Sequence, residues 1–269
     1  MYRVARHIHK SVADQSLDEV WFAFDHLKPW SKNLQGQKLA DVRTSGKALL
    51  LEFEQGQTIY THNQLYGRWM FCPPDRRPDT RRQLRLALST ANKSALLYSA
   101  SEIDVMAADD VADHPFIRRI GLDILSSGAS VEEIEAWIAR KAFSGRQLGH
   151  LLLDQSFLAG VGNYLRSEIL FVAGLHWTLR PRDLSSKQRL RLAEASHQLM
   201  WRSVRTEGIT NTSARVVALK RAGWKRRDYR HFVFGREGQA CFDCDSEIGR
   251  VTVSGRRLYA CTSCQRADD

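Results

Sequence analysis

CFDCDSEIGRVTVSGRRLYACTSC, residues 241–264, sets two Cys-x-x-Cys pairs apart by sixteen intervening residues. At this spacing two tight turns can converge four thiolates, those of Cys241, Cys244, Cys261 and Cys264, on one tetrahedral zinc ion. Disulfides are the competing chemistry, but a close pair repeated twice suits a metal better. Four sulfur ligands leave no coordination position for water, so a single zinc held here is structural. Between the pairs, RVTVSGRRLYA alternates apolar and polar residues around Ser254-Gly255, which predicts a β-hairpin with Arg256 and Arg257 at its tip. A cationic tip suits phosphate.

The rest of the chain agrees with a polyanionic partner. Forty Lys and Arg against thirty Asp and Glu give 269 residues a formal charge of +10. An acidic membrane would attract the same charge. However, the chain has no apolar run of about eighteen residues, and MYRVARHIHKSVADQS is too charged for a signal peptide. The expectation is a soluble, cytoplasmic protein with no membrane partner. Cys72, the fifth cysteine, reads as an ordinary thiol in a Cys-Pro-Pro turn.

Val4, Ile8 and Val12 fall at helical spacing, after which short alternating runs predict strands at 17–24, 38–44, 48–54, 58–64, 67–71, 83–89, 95–100 and 102–106. These suffice for a two-sheet β-sandwich. Apolar faces of 3.6-residue period then predict helices at 131–141, 146–155, 163–174 and 186–205. The expected organisation is multidomain: a β-sandwich domain over 1–118, a helical domain over 119–220, and a basic connector with the zinc hairpin over 221–269. Within 151–170, Gly160 and Gly162 precede a helix starting at Asn163, an arrangement suited to binding an anion or to a plain capped turn. The basic stretch 210–232 fits either a lesion-contacting loop or a backbone-binding connector, and Trp224 either stacks on nucleic acid or packs.

VWFAF (20–24), GKALL (46–50), HNQLYG (62–67), LLYSAS (96–101), LLLDQSFLAGVGNYLR (151–166) and the four-cysteine hairpin occur in that order. By these motifs the chain resembles the bacterial formamidopyrimidine-DNA glycosylase/endonuclease VIII family over nearly its whole length. The resemblance implies a two-sheet β-sandwich, a helix-two-turn-helix domain and a zinc finger, with double-stranded damaged DNA bound by a monomer in the cleft between the domains. It implies base-excision repair, in which an oxidised base is removed and the strand is cut by β/δ-elimination through a Schiff base at C1′. Such chemistry needs an amine that is partly neutral near pH 7, a condition met by an α-amino group of pKa about 7.7–8.0 and not by an exposed lysine at about 10.4.

By the same resemblance Arg256 and Asn163 contact phosphates beside the lesion, and Gln64, Leu65 and Tyr66 fill the gap left by a flipped nucleotide. On its own sequence NQLYG reads as a strand end and turn with Leu65 in a core. Three contiguous wedge residues resemble the pyrimidine-directed branch more than the purine-specific one. Lys47, otherwise a solvated turn charge, is placed at the lesion, and Glu168, otherwise a surface carboxylate, beneath the catalytic amine. Arg257 stands where close relatives carry proline. The family begins with Pro-Glu-Gly-Pro-Glu, whose proline amine is the nucleophile and whose adjacent glutamate is the acid. This chain starts at Met1 without that segment and has its first proline at Pro29. The expectation is that the true start lies upstream; the alternative is a zinc-stabilised damaged-DNA-binding protein without catalysis.

Overall fold

The spacing of Ile8 and Val12 yields α1 (Tyr2–Val12), whose buried side, with Ala5, packs into the main hydrophobic core of its unit. In this computed structural model, which describes residues 1–266, the chain forms two compact units, Met1–Arg119 and Ile120–Asp269.

The first unit continues through β1 (Glu19–Phe22), α2 (Lys28–Leu34), β2 (Leu39–Ser45), β3 (Ala48–Phe53), β4 (Gln57–His62), β5 (Arg68–Cys72), β6 (Leu84–Ser89), β7 (Ser94–Tyr98) and β8 (Glu102–Ala107). Two four-stranded antiparallel sheets result, ordered β1-β6-β7-β5 and β2-β3-β4-β8. Strand alternation sends Leu49, Leu51 and Ile59 from one sheet and Leu86, Leu88 and Leu97 from the other into the same core, as a sandwich requires. The opposite face of β3, carrying Ala48 and Leu50, is covered by Tyr60, Val111 and Phe116, so this strand is apolar on both sides.

The second unit contains α3 (Ile124–Ser127), α4 (Val131–Ile138), α5 (Leu148–Leu151), α6 (Asn163–Ala173), α7 (Ser186–Arg205), α8 (Ser213–Arg221) and α9 (Arg226–Tyr229), followed by β9 (Gly249–Val253) and β10 (Arg256–Ala260). Capping boxes at Ser130 with Glu133 and at Ser185 with Gln188 start α4 and α7. The hairpin is not an independent body: Ile248, Val253, Leu258 and Tyr259 share one core with Leu148, Leu165, Ile169 and Leu192. The helix expected at 146–155 is reduced to a single turn at α5. Leu148 and Gly149 donate their amides to Leu179 and Trp177 at 2.8 Å, and Gly149 lies so near Trp177 that a Cβ would meet it at 3.1 Å. Tertiary contacts take the place of a second helical turn. The stretch 210–232 is ordered as α8 and α9, with Thr212 capping Arg215; of α8 only Val216 is buried, which left no apolar stripe to read.

Candidate nucleic-acid interface and metal centre

In the first unit Lys47 occupies the two-residue turn between β2 and β3, where Ser45 pairs with Ala48 and Gly46 takes φ +57°. Glycine at the first central position lets the hairpin close tightly. Register sets Ala48 opposite His62, and the Lys47 charge reaches both His62 and the Met1 amino group. Burial, then the charges of Arg3 and Lys47, pull that amine below its ordinary pKa of 8.0. The N-terminal end of α1 and the lysine turn therefore share one electrostatic environment.

Beyond His62 the chain makes a tight turn. Gly67 donates its amide to the Asn63 carbonyl at 2.7 Å, and a Cβ on Gly67 would stand 2.6 Å from the Asn63 backbone. Gln64 takes φ +45°, and Arg82 donates to the Tyr66 carbonyl at 2.7 Å. Leu65 and Tyr66, at 73% and 67% exposure, are thrown outward. The core position that an isolated reading gives Leu65 is thus corrected: the tight turn holds its side chain out in solvent.

In the second unit α6 and the finger turn form one construction. Ser254 and Gly255, at φ +54° and +66°, turn the hairpin and leave Arg256 and Arg257 exposed. Asn163 donates from Nδ2 to the Arg257 carbonyl at 2.9 Å and accepts at Oδ1 from Arg166 at 2.8 Å. Arg166 is wholly buried on α6 and donates further to the carbonyls of Gly149 (2.9 Å), Val253 (3.2 Å), Arg256 and Arg257 (both 3.3 Å). Among the described residues no carboxylate pairs with it. Burial, then the Arg256 charge, lower its pKa to about 10, so it stays protonated at neutral pH. The two-glycine turn differs from expectation, since Gly160 gives its amide to Gln155 Oε1 at 3.0 Å rather than to the outside.

Glu168, two residues beyond Arg166 on α6, is fully buried and not a surface carboxylate. It accepts from Thr210 Oγ1 and from the amides of Phe232, Val233 and Phe234 at 2.8, 2.9 and 2.9 Å. Burial pushes its pKa up against the pull of these donors. Beside it buried His231 contacts Thr210 Oγ1 at 3.0 Å and stacks on Tyr164. Arg166, Thr210 and His231 escaped sequence reading, although an arginine among the apolar residues of α6 was a usable signal.

The sulfurs of Cys241, Cys244, Cys261 and Cys264 lie within 4.8 Å of one another. Pairs separated by 3.4 Å (Cys244 with Cys261 and with Cys264) and 4.0 Å (Cys241 with Cys264) fit a tetrahedral thiolate site, in which metal–sulfur bonds of about 2.3 Å set sulfurs about 3.8 Å apart. Arg236 stacks at 3.4 Å on Phe242 and donates to the Ala240 carbonyl at 2.7 Å, bracing the first knuckle.

Profiles of the formamidopyrimidine-DNA glycosylase N-terminal domain and H2TH domain match residues 1–101 and 120–215. The chain is 41% identical over 263 residues to Endonuclease 8 of Klebsiella pneumoniae, covering 98% of this chain and 97% of that protein. This chain belongs to the formamidopyrimidine-DNA glycosylase/endonuclease VIII family. Endonuclease 8 of Salmonella arizonae is 40% identical over 264 residues, with the same coverage. The family fold also appears in Lactococcus lactis Fpg (MutM) in complex with DNA containing N7-benzyl-Fapy-dG (TM-score 0.81, 19% identity, 98% of this chain and 97% of that one). The same Fpg with abasic-site DNA superposes with TM-score 0.79 at 20% identity and the same coverage. Among the described residues no helix is long and apolar enough to cross a membrane.

Proposed function

We propose that the protein is a bifunctional DNA glycosylase and abasic-site lyase of base-excision repair, acting as a cytoplasmic monomer on oxidised pyrimidines in double-stranded DNA. The observation that carries this reading is the preformed wedge: Leu65 and Tyr66 stand exposed on a tight turn in the unit that also holds Lys47. Likeness to Endonuclease 8 along almost the whole chain supports it. A wedge has work to do only in a base stack, which favours duplex substrate. One chain carries every residue assigned a role, which favours a monomer.

In this reading Arg256 and Asn163 bind phosphates and set the register without reading bases. Leu65 and Tyr66 fill the vacated stack, and Gln64 supports them while the damaged nucleotide is held extrahelically. A neutral amine attacks C1′: the N–C1′ bond of the lesion breaks, the base leaves with a proton, and the amine forms a Schiff base with the opened sugar. Loss of a C2′ proton then expels the 3′ phosphate, a second elimination expels the 5′ phosphate, and hydrolysis frees the amine. Lys47, in the environment of the Met1 end of α1, positions phosphate or assists protonation of the leaving base. Glu168, with both oxygens taken by Thr210 and the amides of residues 232–234, serves as a positioning residue for that loop. Zinc is the metal that suits four thiolates at these separations; when bound it stabilises the finger, and no step of the chemistry runs through it.

The test is incision of labelled duplexes carrying one oxidised pyrimidine, one oxidised purine or no lesion. Cleavage of the pyrimidine duplex in preference to the other two is expected; equal indifference to all three refutes the reading.

A further inference from the structure

Strand alternation puts Tyr60 and His62 on one side of β4, and the β4–β8 register sets His62 opposite Glu102. A single carboxylate gathers these two and Gln64, which stands in the turn just beyond the strand. Glu102 accepts from Gln64 Nε2 at 2.9 Å and from the Tyr60 hydroxyl at 3.1 Å, and His62 Nδ1 lies 3.4 Å away. Ser101 Oγ donates to Gln64 Oε1 at 2.6 Å, so both ends of that amide are held. Although burial opposes ionisation of Glu102, bonds from Gln64, Tyr60 and His62 outweigh it and lower its pKa. A carboxylate beside a lysine turn and a wedge is poorly placed in a protein that binds a polyanion, unless its charge is occupied. Here three donors occupy it.

The backbone gives this hub a purpose. Gln64 adopts φ +45°, a left-handed conformation that is unfavourable for a non-glycine residue and persists only when its surroundings impose it. Glu102 and Ser101 supply that constraint from β8 and the residue before it, at the position from which Leu65 and Tyr66 are projected.

We propose that Glu102, assisted by Ser101, is the positioning residue of the wedge: it fixes Gln64 in its left-handed conformation and thereby presents Leu65 and Tyr66 to the base stack. This rests on the wedge assigned above. Neither residue touches the lesion; both act through Gln64.

The experiment compares single-turnover rates on a duplex with an oxidised pyrimidine and on a single strand with an abasic site, for Glu102→Ala, Glu102→Gln, Ser101→Ala and Leu65→Ala. A 2-aminopurine beside the lesion reports unstacking by its fluorescence. Because a hydrogen bond to a charged group is the principal restraint lost, Glu102→Ala should lower the duplex to single-strand rate ratio about tenfold, with a smaller fluorescence amplitude. Ser101→Ala, a one-atom deletion that the fold tolerates, should lower the ratio about threefold. Glu102→Gln keeps an acceptor for one donor and should recover part of the loss. If Leu65→Ala lowers the ratio while Glu102→Ala and Ser101→Ala leave ratio and amplitude unchanged, the proposal is overturned and the wedge stands. If Leu65→Ala slows both substrates equally, the wedge itself is refuted and the proposal falls with it.

Discussion

Replacing Arg166 with methionine keeps the apolar stem of the side chain and deletes its guanidinium. The loss removes a donor from the buried carbonyls of Gly149, Val253 and Arg256, while the Arg257 carbonyl keeps Asn163. Three weakened acceptors at about 1 kcal/mol or more each are offset in part by no longer burying an unpaired cation, leaving a net loosening of the finger turn of about 2 kcal/mol. If that turn must be docked for Arg256 and Asn163 to grip one strand, binding should weaken roughly thirtyfold. Loss of the Arg256 phosphate contact should also lower the salt slope by about 0.9. Fluorescence anisotropy on an abasic-site duplex between 50 and 200 mM salt, conditions chosen to resolve the slope, measures both quantities. Arg166→Met and Arg256→Ala combined should bind little worse than Arg166→Met alone, since loosening the turn already removes the Arg256 contact. Unchanged affinity and slope in Arg166→Met, with the metal still bound, would refute the coupling.

Chelation, or Cys244→Ser, should unfold the hairpin and sharply weaken DNA binding while the β-sandwich survives, as circular dichroism and metal analysis would reveal. Asn163→Ala and Arg256→Ala should weaken binding to damaged and undamaged duplexes alike, which competition titrations check. Burial, then the charges of Arg230 and Arg226, lower the pKa of His231 to about 3. The unfolded chain, titrating near 6.5, therefore takes up this proton first as pH falls. The resulting stability is present above about pH 6.5 and is lost as pH falls toward 3. His231→Asn lacks this proton uptake, so urea unfolding should find it gaining about 1 kcal/mol on wild type between pH 6 and 5. A constant difference would show that His231 titrates normally.

Both sheets were legible because alternation survives where one face is buried, and the long helix α7 because its apolar stripe is continuous. The cysteines announced themselves by spacing. What stayed hidden depends on residues distant in sequence. Glu168 looks like a surface carboxylate until Thr210 and the amides of residues 232–234 close over it. Arg166 looks solvated until the finger turn supplies carbonyls some ninety positions later. Leu65 is the reverse case, an apolar residue that local pattern sends inward and a tight turn sends out. Helix α8 was invisible because it rests on a small cluster of Ile209, Val216 and Tyr229 and not on a continuous stripe.

The central claim is Schiff-base chemistry in the environment of Lys47, and borohydride trapping tests it most directly. The substrate is a duplex with one oxidised pyrimidine. It is offered to the protein and to its Lys47→Ala variant. The protein should give a covalent adduct and strand cleavage, because a partly neutral amine held near C1′ reacts with the advantage of proximity. Lys47→Ala should reduce both products. A protein that binds the duplex yet forms neither adduct nor cleaved strand would contradict the account.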